Sequence, residues 1–106
     1  MEIHHAVYFV LRYAEGSEEE RIFFSRADAL GSIPGVQSFR RVREVSSKNP
    51  FHFGLMMQFE SEAAYEAYNE HPDHMRFVEE VWIPGVSDFQ EIDFVEPAGW
   101  NGGVAP

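Results

Sequence analysis

An α+β domain ordered β-α-β-β-α-β is what this 106-residue chain predicts, on three observations. The segment IPGVQSF at 33–39 recurs as IPGVSDF at 83–89, and an echo at a fixed offset marks a repeated structural unit. Each copy follows a helical pattern and precedes a strand-like one. Upstream of each helical pattern lies a run rich in strand formers. Two β-α-β halves joined at VSSKNP (45–50) make the ferredoxin-like plan, a four-stranded antiparallel sheet with two helices on one face.

The first strand falls at 3–12, IHHAVYFVLR. By parity His5, Val7, Phe9 and Leu11 share one face, and His4, Ala6, Tyr8 and Val10 share the other. The first set reads as the helix-covered side. Gly16 and Ser17 then open a helix, with Ser17 and Glu20 at capping-box spacing. Phe23, Ala27 and Leu30 supply its apolar stripe, and Gly31 lies near its end. In IPGV the proline stops the helix, the glycine permits a left-handed turn, and the valine begins the next strand.

In the second half FHFGLMMQF (51–59) alternates. Phe51, Phe53, Leu55, Met57 and Phe59 face one way; His52, Gly54, Met56 and Gln58 face the other. Ser61 stands where it can cap the following helix, and the second IPGV is expected to turn that helix into the last strand. The domain is expected to span 1–96. PAGWNGGVAP (97–106), with three glycines and two prolines, reads as a flexible tail in which nothing places Trp100. The uncovered sheet face would carry His4, Ala6, Tyr8, Val10, Gly54 and Met56, and a partly apolar bare face predicts a homodimer that buries it.

Composition narrows the partners. Eighteen acidic residues against eight basic ones give a formal charge of −10, which disfavours nucleic acid and anionic membrane surfaces. The one basic cluster, Arg40, Arg41 and Arg43, fits either an anionic ligand or ordinary ion pairs at a strand. No stretch approaches the ~20 apolar residues of a membrane span. MEIHHAVYFVLRY lacks the cationic region and cleavage site of a signal peptide, so the expected location is cytoplasmic. The absence of cysteine fits a reducing compartment and leaves the core to apolar packing. Ten phenylalanines, four tyrosines and two tryptophans are ample for that.

The chemistry concentrates in AYNEHPDHMRFVEEVW (67–82). His74, Phe77, Val78, Val81 and Trp82 recur on one helical face, opposite Asp73, Arg76, Glu79 and Glu80. Tyr68 and His71 share that side if the helix runs through Pro72, which removes a backbone donor and can kink it. His5, Tyr68 and His74 would then converge between sheet and helices. Val7, Phe9, Phe23, Leu55, His71, Phe77 and Trp82 would form an aromatic-lined pocket around them. Spacing leaves three readings open. One is a satisfied core in which tyrosine and histidine bond each other or the backbone. A metal site lacks a cysteine and a third ligand at recognisable spacing, so no metal is expected. A catalytic site would use histidine as a base near neutral pH and tyrosine as a donor to a developing oxyanion.

H-x-V-x-F at His5, Val7 and Phe9, IPGV after the first helix, and A-Y-x-x-H-P-x-H-x-x-F from Ala67 to Phe77 together resemble the stress-responsive A/B barrel (Dabb) family, over residues 3–95. That resemblance implies a dimeric α+β barrel, two protomers closing their bare sheet faces together. The expectation is then a cytoplasmic homodimer whose pocket takes a small apolar, aromatic or polyketide-like carbonyl compound. A cyclase of that family closes a polyketide by aldol condensation without cofactor or metal. Its catalytic histidine is similar in position to His74, its assisting tyrosine to Tyr68, and a pocket histidine to His5. The chain departs from it after Phe77, where the IPGV at 83–86 replaces a longer helix. If the chain is an enzyme, no cofactor is expected. The alternatives are a non-catalytic structural stress protein and a cofactor-independent oxygenase, a chemistry of other dimeric α+β barrels.

Overall fold

The computed structural model describes residues 1–97, so the expected tail from residue 98 and its Trp100 lie outside the described residues. The elements run β1 (Ile3–Leu11), α1 (Glu18–Asp28), a 3-10 turn (Ala29–Ser32), β2 (Gln37–Arg43), β3 (Phe53–Phe59), α2 (Glu62–Glu70), α3 (Pro72–Phe77), a π-helical stretch (Val78–Trp82), α4 (Ile83–Gly85) and β4 (Val86–Phe94). The sheet order is β2-β3-β1-β4, with every neighbouring pair antiparallel. This is the ferredoxin-like α+β plan that the repeat predicts.

The core lies between helices and sheet. Phe9 is fully buried at its centre, its ring against Phe23, Phe24, Phe53 and Trp82 at centroid separations of 5.0–6.3 Å. Edge and tilted contacts of this kind add about 0.5–1.5 kcal/mol per pair beyond area burial. His5, Val7 and Leu11 are buried on the same face, as parity requires. The basic cluster divides. Arg41 lies over the Phe24 ring and near Asp28, Arg43 pairs with Glu15, and Arg40 reaches the Met56 sulfur from the other face.

Ser17 caps α1, its hydroxyl accepting from the Glu20 N–H at 3.2 Å. The return arm differs from a capping box: the Glu20 carboxylate takes the Gly16 N–H, because the Ser17 N–H is already donated to Ala14. The two IPGV copies also differ. The first is a turn as expected, with Val36 N–H bonded to the Ile33 carbonyl and Gly35 at φ +93°. The second is a correction, for Ile83–Gly85 is helical and its glycine has an ordinary φ. Gly85 is closely packed there: a Cβ would lie 3.1 Å from Tyr13 and 3.2 Å from Phe23, and the rings would have to give way.

On the uncovered face Tyr8 and Val42 close over Gly54, whose missing Cβ would sit 3.0 and 2.9 Å from them. Cross-strand register adds Ile92 beside Ala6 and Phe94 beside His4 to that face.

Candidate functional site

The stretch HPDH is where the second helical segment breaks and restarts. His71 adopts extended geometry (φ −64°, ψ 135°), ending α2 and capping α3, with Pro72 in the first turn. Proline suits that position, since its missing N–H would have no intrahelical partner. The Asp73 N–H, which a continuous helix would give to the Asn69 carbonyl, is instead accepted by His71 Nδ1 at 3.1 Å. That frees the Asn69 carbonyl, and His74 Nδ1 bonds to it at 3.0 Å. A carbonyl only accepts, so Nδ1 carries the proton and Nε2 keeps its lone pair. One histidine of the pair is thus a cap; the other is aimed by the break that the cap creates.

His74 meets Tyr68 ring to ring at 4.5 Å, and Tyr68 also packs on Phe59 at 5.0 Å. Tyr68 is buried, yet its hydroxyl has no hydrogen bond among the described residues. No described buried polar side-chain atom is left without a partner, so this oxygen opens into the adjoining cavity. Burial, with smaller contributions from Tyr65 and Glu91, pushes the Tyr68 phenol well above its ordinary value. It is a neutral donor at any ordinary pH. Burial also holds His74 below the usual imidazole range, opposed by the Asn69 hydrogen bond.

From the sheet side His5 completes the group. Its cross-strand neighbour is Asp93, whose carboxylate takes His5 Nδ1–H at 2.6 Å. Tyr65 donates to the same carboxylate at 3.1 Å and lies 3.0 Å from His5 Nδ1. Both imidazoles are therefore held through Nδ1, with Nε2 free of described partners.

These groups border a cavity of about 290 Å3, at the small end of ligand sites. Of the expected residues, His5, Val7, Leu55, Tyr68, His74, Phe77 and Trp82 line it. Phe9 and Phe23 lie behind the wall, packed on Trp82. His71 stands apart from it, its Nδ1 occupied in capping α3. Residues the sequence did not assign to the pocket also line it: Leu30, Met57, Asn69, Val78, Ile83, Phe89 and Glu91. Met57 was legible from its parity with Leu55. Phe89, Glu91 and Asp93 needed the β1–β4 register, which no local pattern carries. Trp82 and Ile83 reach the cavity because the helix widens, Ile83 N–H bonding the Val78 carbonyl five residues back. Such π-turns often sit at functional sites.

The stress responsive A/B barrel domain model matches residues 3–96. A Dabb protein from Mesorhizobium loti with a ferredoxin-like fold is 44% identical, with a TM-score of 0.88, over 92% of this chain and 98% of that one. The hydroxynitrile lyase of Passiflora edulis is 12% identical, with a TM-score of 0.81, over 94% and 97%. A dimeric ferredoxin-like protein of unknown function from Thermobifida fusca is 19% identical, with a TM-score of 0.76, over 91% and 92%. No curated protein matches. The two more distant likenesses show the fold. The family match across nearly the whole chain and the 44% identical relative show more: this chain belongs to the stress responsive A/B barrel domain family.

Proposed function

We propose that the protein is a cytoplasmic homodimer whose protomer pocket binds a small, largely apolar or polyketide-like carbonyl compound and performs cofactor-free acid–base chemistry on it. One observation carries this reading. Two imidazoles, each tied by Nδ1 to an acceptor, leave Nε2 without a partner among the described residues, like the Tyr68 hydroxyl, in a largely apolar cavity. A site that served packing alone would be expected to bond these groups to each other.

In the proposed step His74 Nε2 takes the proton alpha to the carbonyl. The electrons of that C–H bond move onto the carbonyl oxygen, and the Tyr68 hydroxyl donates to the oxygen as its charge develops. The Asn69 carbonyl steadies the imidazolium through Nδ1–H. His5 Nε2, fixed by Asp93 and Tyr65, accepts from a hydroxyl of the ligand and orients it. The dimer rests on the partly apolar bare face around Tyr8, Val42, Met56 and Ile92, and on the dimeric Thermobifida fusca neighbour. The same fold carries a lyase in Passiflora edulis.

The test is deuterium uptake at the methyl group of acetophenone in heavy water, followed by proton NMR. Wild type is expected to accelerate uptake. Tyr68→Phe and His74→Gln should each lose roughly 100-fold or more while still binding the ketone. A bound ketone whose exchange wild type does not accelerate overturns the catalytic reading. The Tyr68–His74 ring contact would then favour a purely structural role.

A further inference from the structure

Among the described residues that line the cavity there is no lysine or arginine, and Glu91 is the single carboxylate. It stands on β4 opposite Val7, on the helix-covered side of an edge strand, and has no hydrogen-bond or ion-pair partner among the described residues. It lines the same cavity as His5, Tyr68 and His74. A second carboxylate, Asp93, lies two residues on along the same face, behind His5.

We propose that this pocket is built to refuse acids: it takes a neutral carbonyl compound bearing a hydroxyl donor that Glu91 accepts, and rejects the carboxylate analogue. The inference rests on the pocket reading above and narrows its substrate class. Glu91 is exposed at the edge of the cavity, and a second carboxylate bound inside would lie within the ~10 Å over which 0.1 M salt screens a charge, so the two repel. Nothing in the lining offsets the repulsion as a permanent cation. His74 resists protonation because it is desolvated, and the Tyr68 phenol stays neutral. A ligand hydroxyl turned to Glu91 makes a charge-assisted hydrogen bond, the stronger kind.

Three probes of one shape separate the possibilities: acetophenone, 4-hydroxyacetophenone and 4-acetylbenzoate, with affinities measured by ligand-observed NMR at pH 7.5. Wild type should bind the hydroxyl compound at least fivefold more tightly than acetophenone, and the acid at least tenfold more weakly. Glu91→Gln should raise the ratio of acid to hydroxyl-compound affinity at least tenfold. Glu19→Gln, at an exposed position of α1, should leave that ratio unchanged, which separates a local carboxylate from the net charge of the chain. Glu91→Ala provides a second variant should the glutamine chain fold poorly. Equal affinities in wild type, or a ratio that Glu91→Gln leaves in place, overturn the inference while the pocket reading stands. Failure of all three probes to bind overturns the pocket reading and the inference with it.

Discussion

Replacing His74 by leucine should leave the protein about as stable as wild type. The change removes the Nδ1–H bond to the Asn69 carbonyl, 3.0 Å long, and a net hydrogen bond is worth about 1 kcal/mol. Asn69 is exposed, so its released carbonyl can return to water and no buried acceptor is stranded. Against that loss, leucine gains apolar burial at a half-buried position. Full burial stabilises by ~1.5–3 kcal/mol, so half of it contributes about 1 kcal/mol. The two terms nearly cancel, and residues held for function are often kept at no benefit to stability. Thermal unfolding followed by circular dichroism, at equal protomer concentration, should put the variant within about 4 °C of wild type. A fall of more than about 8 °C, near 2 kcal/mol for a domain this size, would refute the reasoning. The imidazole would then be holding α2 to α3, and its free Nε2 would be incidental.

Three other outcomes follow from the same contacts. His74 has a folded-state pKa below its ordinary 6.5, so the unfolded chain takes up the proton first as pH falls. Wild type should therefore lose stability on acidification below about that value, and the loss should be smaller in His74→Gln, measured as denaturation midpoint against pH. Asp93→Ala removes the acceptor that fixes His5, so nitrogen NMR should show His5 moving from a single Nδ1–H tautomer to a mixture; an unchanged tautomer would mean Asp93 does not set it. Gly35→Ala and Gly85→Ala should both destabilise, but for different reasons. The first forces a left-handed φ at a cost of about 1–2 kcal/mol, and the second overpacks Tyr13 and Phe23 by about 1–3 kcal/mol. Adding Tyr13→Ala should recover stability in the second and not in the first.

Much of the fold was legible because its signals are local. The period-two runs at 3–12 and 51–59 place His5, Val7, Phe9 and Leu55 on the covered face, and capping serines open both α1 and α2. The IPGV echo located the end of the helix in each half, yet the same four residues form a turn once and a helical end once. What decides is the neighbour: Gly35 has a positive φ and only ordinary contact with Ala64, whereas Gly85 sits beneath Tyr13, just past β1, and Phe23 of α1. The site divides in the same way. His74 and Tyr68 were readable from helical spacing. His71 shared that spacing but turned to capping, because Pro72 breaks the helix there. Tyr65, Asp93 and Glu91 depend on how β4 registers against β1, and that is settled by long-range packing.

The central claim, that His74 Nε2 is a base in a working pocket, is tested most directly by the pH dependence of ketone deuterium uptake in wild type and His74→Gln. The wild-type rate is expected to fall on acidification with a midpoint below 6.5, the ordinary histidine value from which burial lowers this group. The residual rate of the variant should lack that transition. A wild-type profile with no group titrating in the histidine range, or a variant that keeps the same profile, would contradict it.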